Sequence, residues 1–391
     1  MNLHLDQKQK TLLFLTLLLL VLCIRTLFLY TPSWDIDTVE TGWYAQFIKI
    51  GRIDAYGTIS YHYAPALLYL IDVMTLFRFI PPAVAIKLIS IVFDISAAIA
   101  VYKLIALKQP DGLLKWAGFF VVLLAPTVFV ESAMWGQSDI IYTSFLLWSL
   151  YFILREKPLF AVLAFSIAFA FKLQAGLFAP LFVILFLRRK FPFYYFLVIP
   201  AVFVVSIVPA WLSGAPFDKL LFVYFTQFDY YHSLSMRAPN LYLFIHTEPN
   251  YEQKVLIGMI VTMLVVLTYV LLRWLKWKDL SRTSLVFDAA MLAFLIPFFL
   301  PKMHERYFFL AGLLLIVLAF YHPRMIWAAL MIQASSLLSF IPYFSGWSDH
   351  FARAGAVINV LLLIGLVVSW VQYHQQPADA PTGQAHGRGD L

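Results

Sequence analysis

The sequence predicts an all-α polytopic membrane protein, and three observations predict it. Hydrophobic residues make up 62% of the 391 and charged residues only 13%, where a soluble domain of this length would be about a quarter charged. The apolar residues fall in long unbroken runs, not in the weak ten-residue alternation of an outer-membrane barrel. The basic residues sit in short clusters between those runs. The net charge of +7 therefore orients helices in a bilayer and does not point to nucleic acid. A mean hydropathy of +0.82 agrees.

The first run, Thr11 to Tyr30, follows Lys8 and Lys10. It is long enough to span, at about 20 residues, and no small-residue cleavage site follows, so it reads as a retained first helix rather than a signal peptide. The lone Cys23 lies within it, so neither an intramolecular disulfide nor a cysteine metal site is expected. Further spans are predicted at 82–106, 114–131, 139–154, 158–171, 173–187, 194–212, 255–274, 284–300, 306–321, 324–342 and 353–371, about twelve in all with the first. The run 63–80 is apolar enough to cross, but it carries Asp72, Arg78 and Pro65 and ends in Pro81-Pro82.

Charge parity decides that run. Basic clusters at Lys103/Lys108/Lys115, Arg155/Lys157, Arg188/Arg189/Lys190, Arg273/Lys276/Lys278/Arg282 and Arg324 fall in every second loop, which puts them on one face. Lys8 and Lys10 share that cytoplasmic face only if an even number of crossings precedes residue 103. Residues 63–80 are therefore expected to lie in the interface, within a first outer loop spanning 31–81 that contains interfacial helices. The N-terminus is then cytoplasmic. From Gln375 the chain is Pro/Gly/Ala/Gln-rich without periodicity, so 374–391 is expected to be a disordered cytoplasmic tail.

Four polar islands then share the outer face: Asp35/Asp37/Glu40, Trp135-Gly136-Gln137-Ser138-Asp139, Phe171-Lys172-Leu173-Gln174, and Pro301 to Tyr307. A second large outer loop, 213–254, joins them; its Phe225, Phe228, Tyr230 and Tyr231 read as an interfacial aromatic belt. Tight turns at membrane depth are tolerated only where they are buried in protein or line a watered cavity. Lys172 has no carboxylate within ten positions, and an unpaired ammonium there costs about 2.5–3.5 kcal/mol. It needs an anion unless it snorkels to the headgroups. Lys302, His304 and Arg306, with Glu305 to orient one of them, suit a phosphate. Trp135, Gln137 and Asp139 offer an aromatic face, an amide and a carboxylate for a sugar, although Asp139 can equally be a helix cap.

Carboxylates at one end of a cavity and phosphate-binding cations at the other fit glycosyl transfer from a lipid-linked sugar phosphate. A carboxylate takes the acceptor proton, and fixed cations stabilise the departing phosphate without a metal. No cofactor is expected. The one alternative is a divalent ion held by Asp37, Glu40 and Asp139.

In their order and spacing these residues resemble a known family. They are Asp37 with Tyr44-Ala45 and Gly51, Tyr63-Ala64-Pro65, Lys87 and Asp94, Trp135 to Asp139, Lys172-Leu173-Gln174, Ala238-Pro239-Asn240-Leu241 and His304-Glu305-Arg306. Up to about residue 371 the chain resembles GT-C-fold membrane glycosyltransferases that use polyprenyl-phosphate sugars. It looks closest to the mannosyltransferase-like group of glycosyltransferase family 87, with kinship to the dolichyl-phosphate-glucose/mannose enzymes. The resemblance implies a GT-C-like bundle over 1–373 in the inner or plasma membrane, with its active site extracytoplasmic. It implies an inverting transfer of a hexose, mannose or glucose, to a glycan, lipid or protein acceptor. It also implies a first-loop aspartate as base. Asp37 fits the spacing to Tyr44-Ala45 and, if the stretch is helical, shares a face with Glu40 and Thr41; Asp35 leaves the choice open, as base, cap or sugar contact. Lys302, His304, Arg306 and Lys172 would hold the lipid phosphate. Glu40, Trp135, Gln137, Asp139, Gln174 and Asn240 would meet sugar and acceptor. No soluble C-terminal domain follows, which disfavours oligosaccharyltransferase-type chemistry. A secondary transporter or lipid-linked-glycan flippase is the rival reading, but the halves show no matching broken helices. A scaffold role in a glycan assembly complex is a third.

Overall fold

The computed structural model describes residues 6–59, 63–228 and 231–375. Tyr230 and the tail beyond Gln375 lie outside them; the last helix, His350–Gln375, runs just past the expected start of that tail. The described residues are overwhelmingly helical, and their only strands are the two-residue pair Ser235–Met236 and Met303–His304.

All twelve predicted runs become helices, but not all become full spans. Seven are long and apolar enough to cross a membrane, and an eighth is added if the bent pair Leu114–Leu124 and Pro126–Trp135 counts as one. Asp139–Leu154, Pro158–Phe171, Leu173–Leu187 and Phe309–Tyr321 are shorter than 18 residues. At a rise of 1.5 Å per residue they cover roughly 20–25 Å, less than the hydrocarbon core. The run 63–80 holds only a ten-residue helix, Pro65–Met74, about 15 Å long.

Burial differs widely among the long helices. In Lys8–Thr26 only 11% of the apolar window is buried, against 83% in Arg282–Phe299. An all-round apolar helix can face lipid or protein, so small residues decide where helices meet. In Pro82–Ala106, Ala97, Ala98 and Ala100 are fully buried. A side chain at Gly118 would sit 2.1 Å from Ile105 Cδ1, so glycine lets its helix approach there without displacing that isoleucine. Two pairs of buried charges inside the bundle compensate each other, as a low-dielectric interior favours. Arg25 donates to Asp94 at 3.1 Å, and Arg273 donates to Asp288 at 2.9 Å.

Pro126 follows an extended Ala125 (ψ 125°), as pre-proline sterics favour, and the pair bends there by 46°. The second half ends in a π-helical turn, Val130–Trp135, closed by Gly136 at φ 83°. A Cβ at Gly136 would lie 2.6 Å from Ile36 Cδ1 and 3.1 Å from Lys87 Cγ. Glycine is thus favoured twice over, by its left-handed backbone and by the loop carrying Ile36 that packs against it.

Candidate active site

A second π-helical turn, Asp35–Glu40, carries the acidic stretch. Its i→i+5 bonding, with the Thr41 N–H donating to the Ile36 carbonyl, changes which side chains share a face. Under α-helical spacing Asp37 would pair with Glu40 and Thr41; under the wider π repeat Asp35 and Glu40 align instead. Both line one cavity of about 260 Å³, together with Trp34, Tyr63, Gln137, Lys172, Gln174, Lys302, His304 and Arg306.

Asp35 is held rigidly. Its Oδ2 accepts hydrogen bonds from Gln137 Nε2 (2.6 Å), Trp135 Nε1 (2.9 Å) and the Tyr343 hydroxyl (3.1 Å). All three converge on one oxygen. Asp37 is not among the cavity-lining residues; its carboxylate instead accepts from the Ser33 backbone N–H, four residues upstream, at 3.0 Å. Nearby, Lys87 donates from Nζ to the Thr31 carbonyl at 2.7 Å and bears electrostatically on Asp37. The loop is thereby tied to the Pro82–Ala106 helix.

The cations at the opposite wall are compensated by carboxylates. Lys172 finds its anion 33 residues upstream, donating from Nζ to Asp139 Oδ2 at 2.9 Å. Arg306 Nε lies 3.3 Å from the same oxygen, and its Nη1 donates to Glu305 Oε1 at 2.8 Å. The guanidinium also lies 5.5 Å from the Trp135 ring centroid, a favourable cation–π distance. His304 is 3.9 Å from Glu305 Oε2. Burial, with Arg306 and Lys172 nearby, holds its imidazole well below the usual pKa. It therefore enters as a neutral donor and not as the third cation expected from sequence.

Several predicted site residues stand behind the cavity wall. Asp139, the first residue of its helix, is fully buried and meets the two cations. Trp135 is fully buried, its ring 4.1 Å from that of Tyr343 and tilted by 31°, with its N–H given to Asp35. Asn240 caps the short turn Leu241–Phe244 by accepting from Tyr242 N–H, and donates to the Pro297 carbonyl at 3.1 Å. The three carboxylates considered for a divalent ion, Asp37, Glu40 and Asp139, do not converge. Among the described residues no group of three or more His, Cys, Asp or Glu is placed to hold a metal. Sequence reasoning missed Tyr343, which lies 308 residues from Asp35 and carries no local signal. It also missed Glu131, fully buried with both carboxylate oxygens lacking partners among the described residues.

The strand pair joins the long loop 213–254 to the segment 301–307. The Lys302 N–H donates to the Leu234 carbonyl (2.8 Å) and the Glu305 N–H to that of Met236 (3.0 Å). Lys302 takes φ 63° to make the turn. The long loop thus braces the segment bearing Lys302, His304 and Arg306, and sets the Tyr231 ring 5.0 Å from His304.

No curated protein matches the chain. The pattern of one known family does, over residues 61–301; that stretch includes Gln137, Lys172 and Gln174, while Asp35, Glu40, His304 and Arg306 flank it. A match over more than half of the 391 residues, on a helical membrane framework, makes this chain a member of glycosyltransferase family 87.

Proposed function

We propose that the protein transfers a hexose, mannose or glucose, from a polyprenyl-phosphate donor to an acceptor hydroxyl, with inversion, on the extracytoplasmic face of the inner or plasma membrane. The observation that carries this reading is the cavity's polarity. It sets a carboxylate anchored through one oxygen against a wall of carboxylate-supported cations. The base is Asp35, in preference to Asp37. With Oδ2 committed to three donors, its other oxygen is free of them to meet the acceptor. As the acceptor oxygen attacks the anomeric carbon, Asp35 takes its proton. The bond from that carbon to the phosphate oxygen breaks, and the phosphate leaves with the electron pair. Lys172 and Arg306 stabilise the charge that grows on it, with His304 as a neutral donor and Lys302 at the rim. Gln137 and Gln174 are positioned for sugar hydroxyls; Trp135 and Asp139 act through Asp35 and the cations they hold.

The test is to incubate purified protein with a panel of labelled polyprenyl-phosphate sugars and a mixture of glycan and lipid acceptors. Release of free polyprenyl phosphate with transfer of label supports the reading. Unchanged donor in every case, with label moved across a vesicle membrane, would replace it with the transporter reading.

A further inference from the structure

Glu40 is the one acidic side chain in the cavity lining for which the structure shows no hydrogen-bonded partner. It is 8% exposed, and its Oε2 is buried without a partner among the described residues. The contrast with Asp35, three donors on one oxygen, is chemical. The π-helical turn sets both carboxyls on one face of the cavity, yet donors were built for only one of them. An ionised carboxylate without donors in a buried site is costly, whereas a neutral carboxylic acid carries its own proton to give away.

Resting on the glycosyl-transfer reading above, we infer that Glu40 is a neutral carboxylic acid in the working site and donates its proton in a hydrogen bond to an oxygen of the transferred sugar. The position suits that role. The groups that act on Glu40 are Asp35 and Asp139, which disfavour its ionised form, and Lys172 and Arg306, which favour it; Tyr63 also faces it. It shares one cavity with the base and the cations, where the sugar must lie for its anomeric carbon to pass from phosphate to acceptor. A second anion there would oppose both the charge of Asp35 and an incoming phosphodiester; a neutral donor opposes neither. No proton leaves Glu40 in the reaction: Asp35 gains the acceptor proton, and the phosphate leaves unprotonated. Burial, with Asp35 next in weight, raises the Glu40 pKa to about 8, which agrees with a neutral acid at pH 7.

The test combines a spectrum with turnover. The infrared difference between wild type and Glu40→Gln at pH 7, without substrate, should show a protonated-carboxyl C=O band that is absent in the variant and fades in wild type as pH rises through about 8. Glutamine still donates from its amide, so Glu40→Gln should keep kcat/KM within about threefold. Glu40→Ala should lose roughly 10- to 100-fold. Absence of the band overturns the inference, as does equal loss in the Gln and Ala variants. A band present while wild type turns over no donor would instead strike the glycosyl-transfer reading on which the inference rests.

Discussion

Replacing Asp35 with Asn separates the two candidate bases. The side chain keeps its shape, and its remaining oxygen can still accept from Trp135 and Tyr343, now 2.9 and 3.1 Å from Oδ2. What disappears is basicity and the charge-assisted strength of those bonds. Loss of a general base removes about 10²- to 10⁴-fold in rate, or about 2.7–5.4 kcal/mol of barrier lowering. Asp37→Asn should behave differently. Its recorded bond is from the Ser33 backbone N–H at 3.0 Å, which an amide oxygen also accepts. The cost is then that of weakening one hydrogen bond, about 1 kcal/mol or less of stability, with less than about tenfold in turnover. Single-turnover transfer from a labelled polyprenyl-phosphate sugar, with donor binding measured separately, reads the chemical step alone. Asp35→Asn should fall by at least tenfold more than Asp37→Asn, with donor affinity largely kept. If Asp37→Asn proved the slower enzyme while remaining folded, the assignment from the π-helical turn would be wrong, and α-helical spacing would have named the base correctly.

Gly136→Ala must place a Cβ 2.6 Å from Ile36 Cδ1 at φ 83°. It should destabilise the protein by about 2–4 kcal/mol, read as a lowered Tm in detergent; an unchanged Tm would mean that the first loop is not seated on this glycine. Asp94→Leu leaves Arg25 buried without its partner and should cost about 3–5 kcal/mol, whereas Arg25→Leu with Asp94→Leu should recover much of it; a double variant as weak as the single would show that the pair does not act as a unit. In a Cys23→Ser background, cysteines at Thr58 and Gln109 should label from opposite faces of intact cells, Thr58 from outside; labelling from one face would remove the parity argument for an extracytoplasmic site.

The class of fold was legible because hydropathy and the spacing of basic clusters are properties of composition along the chain, and lipid acts on them directly. The four polar islands were legible for the complementary reason, that charges at membrane depth need an explanation. What the sequence could not convey was which island answers which. Lys172 has no nearby carboxylate in the chain, so its anion appeared to be an external phosphate. Folding supplies Asp139 from the start of the next-but-one helix upstream. Trp135 looked like a sugar platform because Trp, Gln and Asp together suit a sugar. Its ring is instead covered by Tyr343 and Arg306. The choice between Asp35 and Asp37 turned on one assumption about periodicity. A π-helical turn, one residue wider per bond than an α-helix, puts Asp35 in the cavity lining and leaves Asp37 out of it, and no residue type in Asp35–Glu40 announces it.

The compensation of the cations bears on turnover as well as on binding. Bare Lys and Arg in a site this buried would hold a phosphate strongly, and hold the product more strongly than the donor. In the proposed reaction the donor is a phosphodiester with one negative charge and the product a phosphomonoester that can carry two. Lys172 and Arg306 meet either with Asp139 and Glu305 already at their backs. The phosphate therefore competes with fixed carboxylates for each cation, and its affinity is set by a difference of two interactions. The transition state benefits because the supported cations are already oriented and need no reorganisation as charge develops. Release benefits because the cations are not left unpaired when the lipid phosphate departs. Stripping that support with Asp139→Asn should then tighten product binding while slowing multiple turnover, the opposite of what a residue that merely gripped the sugar would do. Weaker product binding in Asp139→Asn, with the protein folded, would refute this account of the cations.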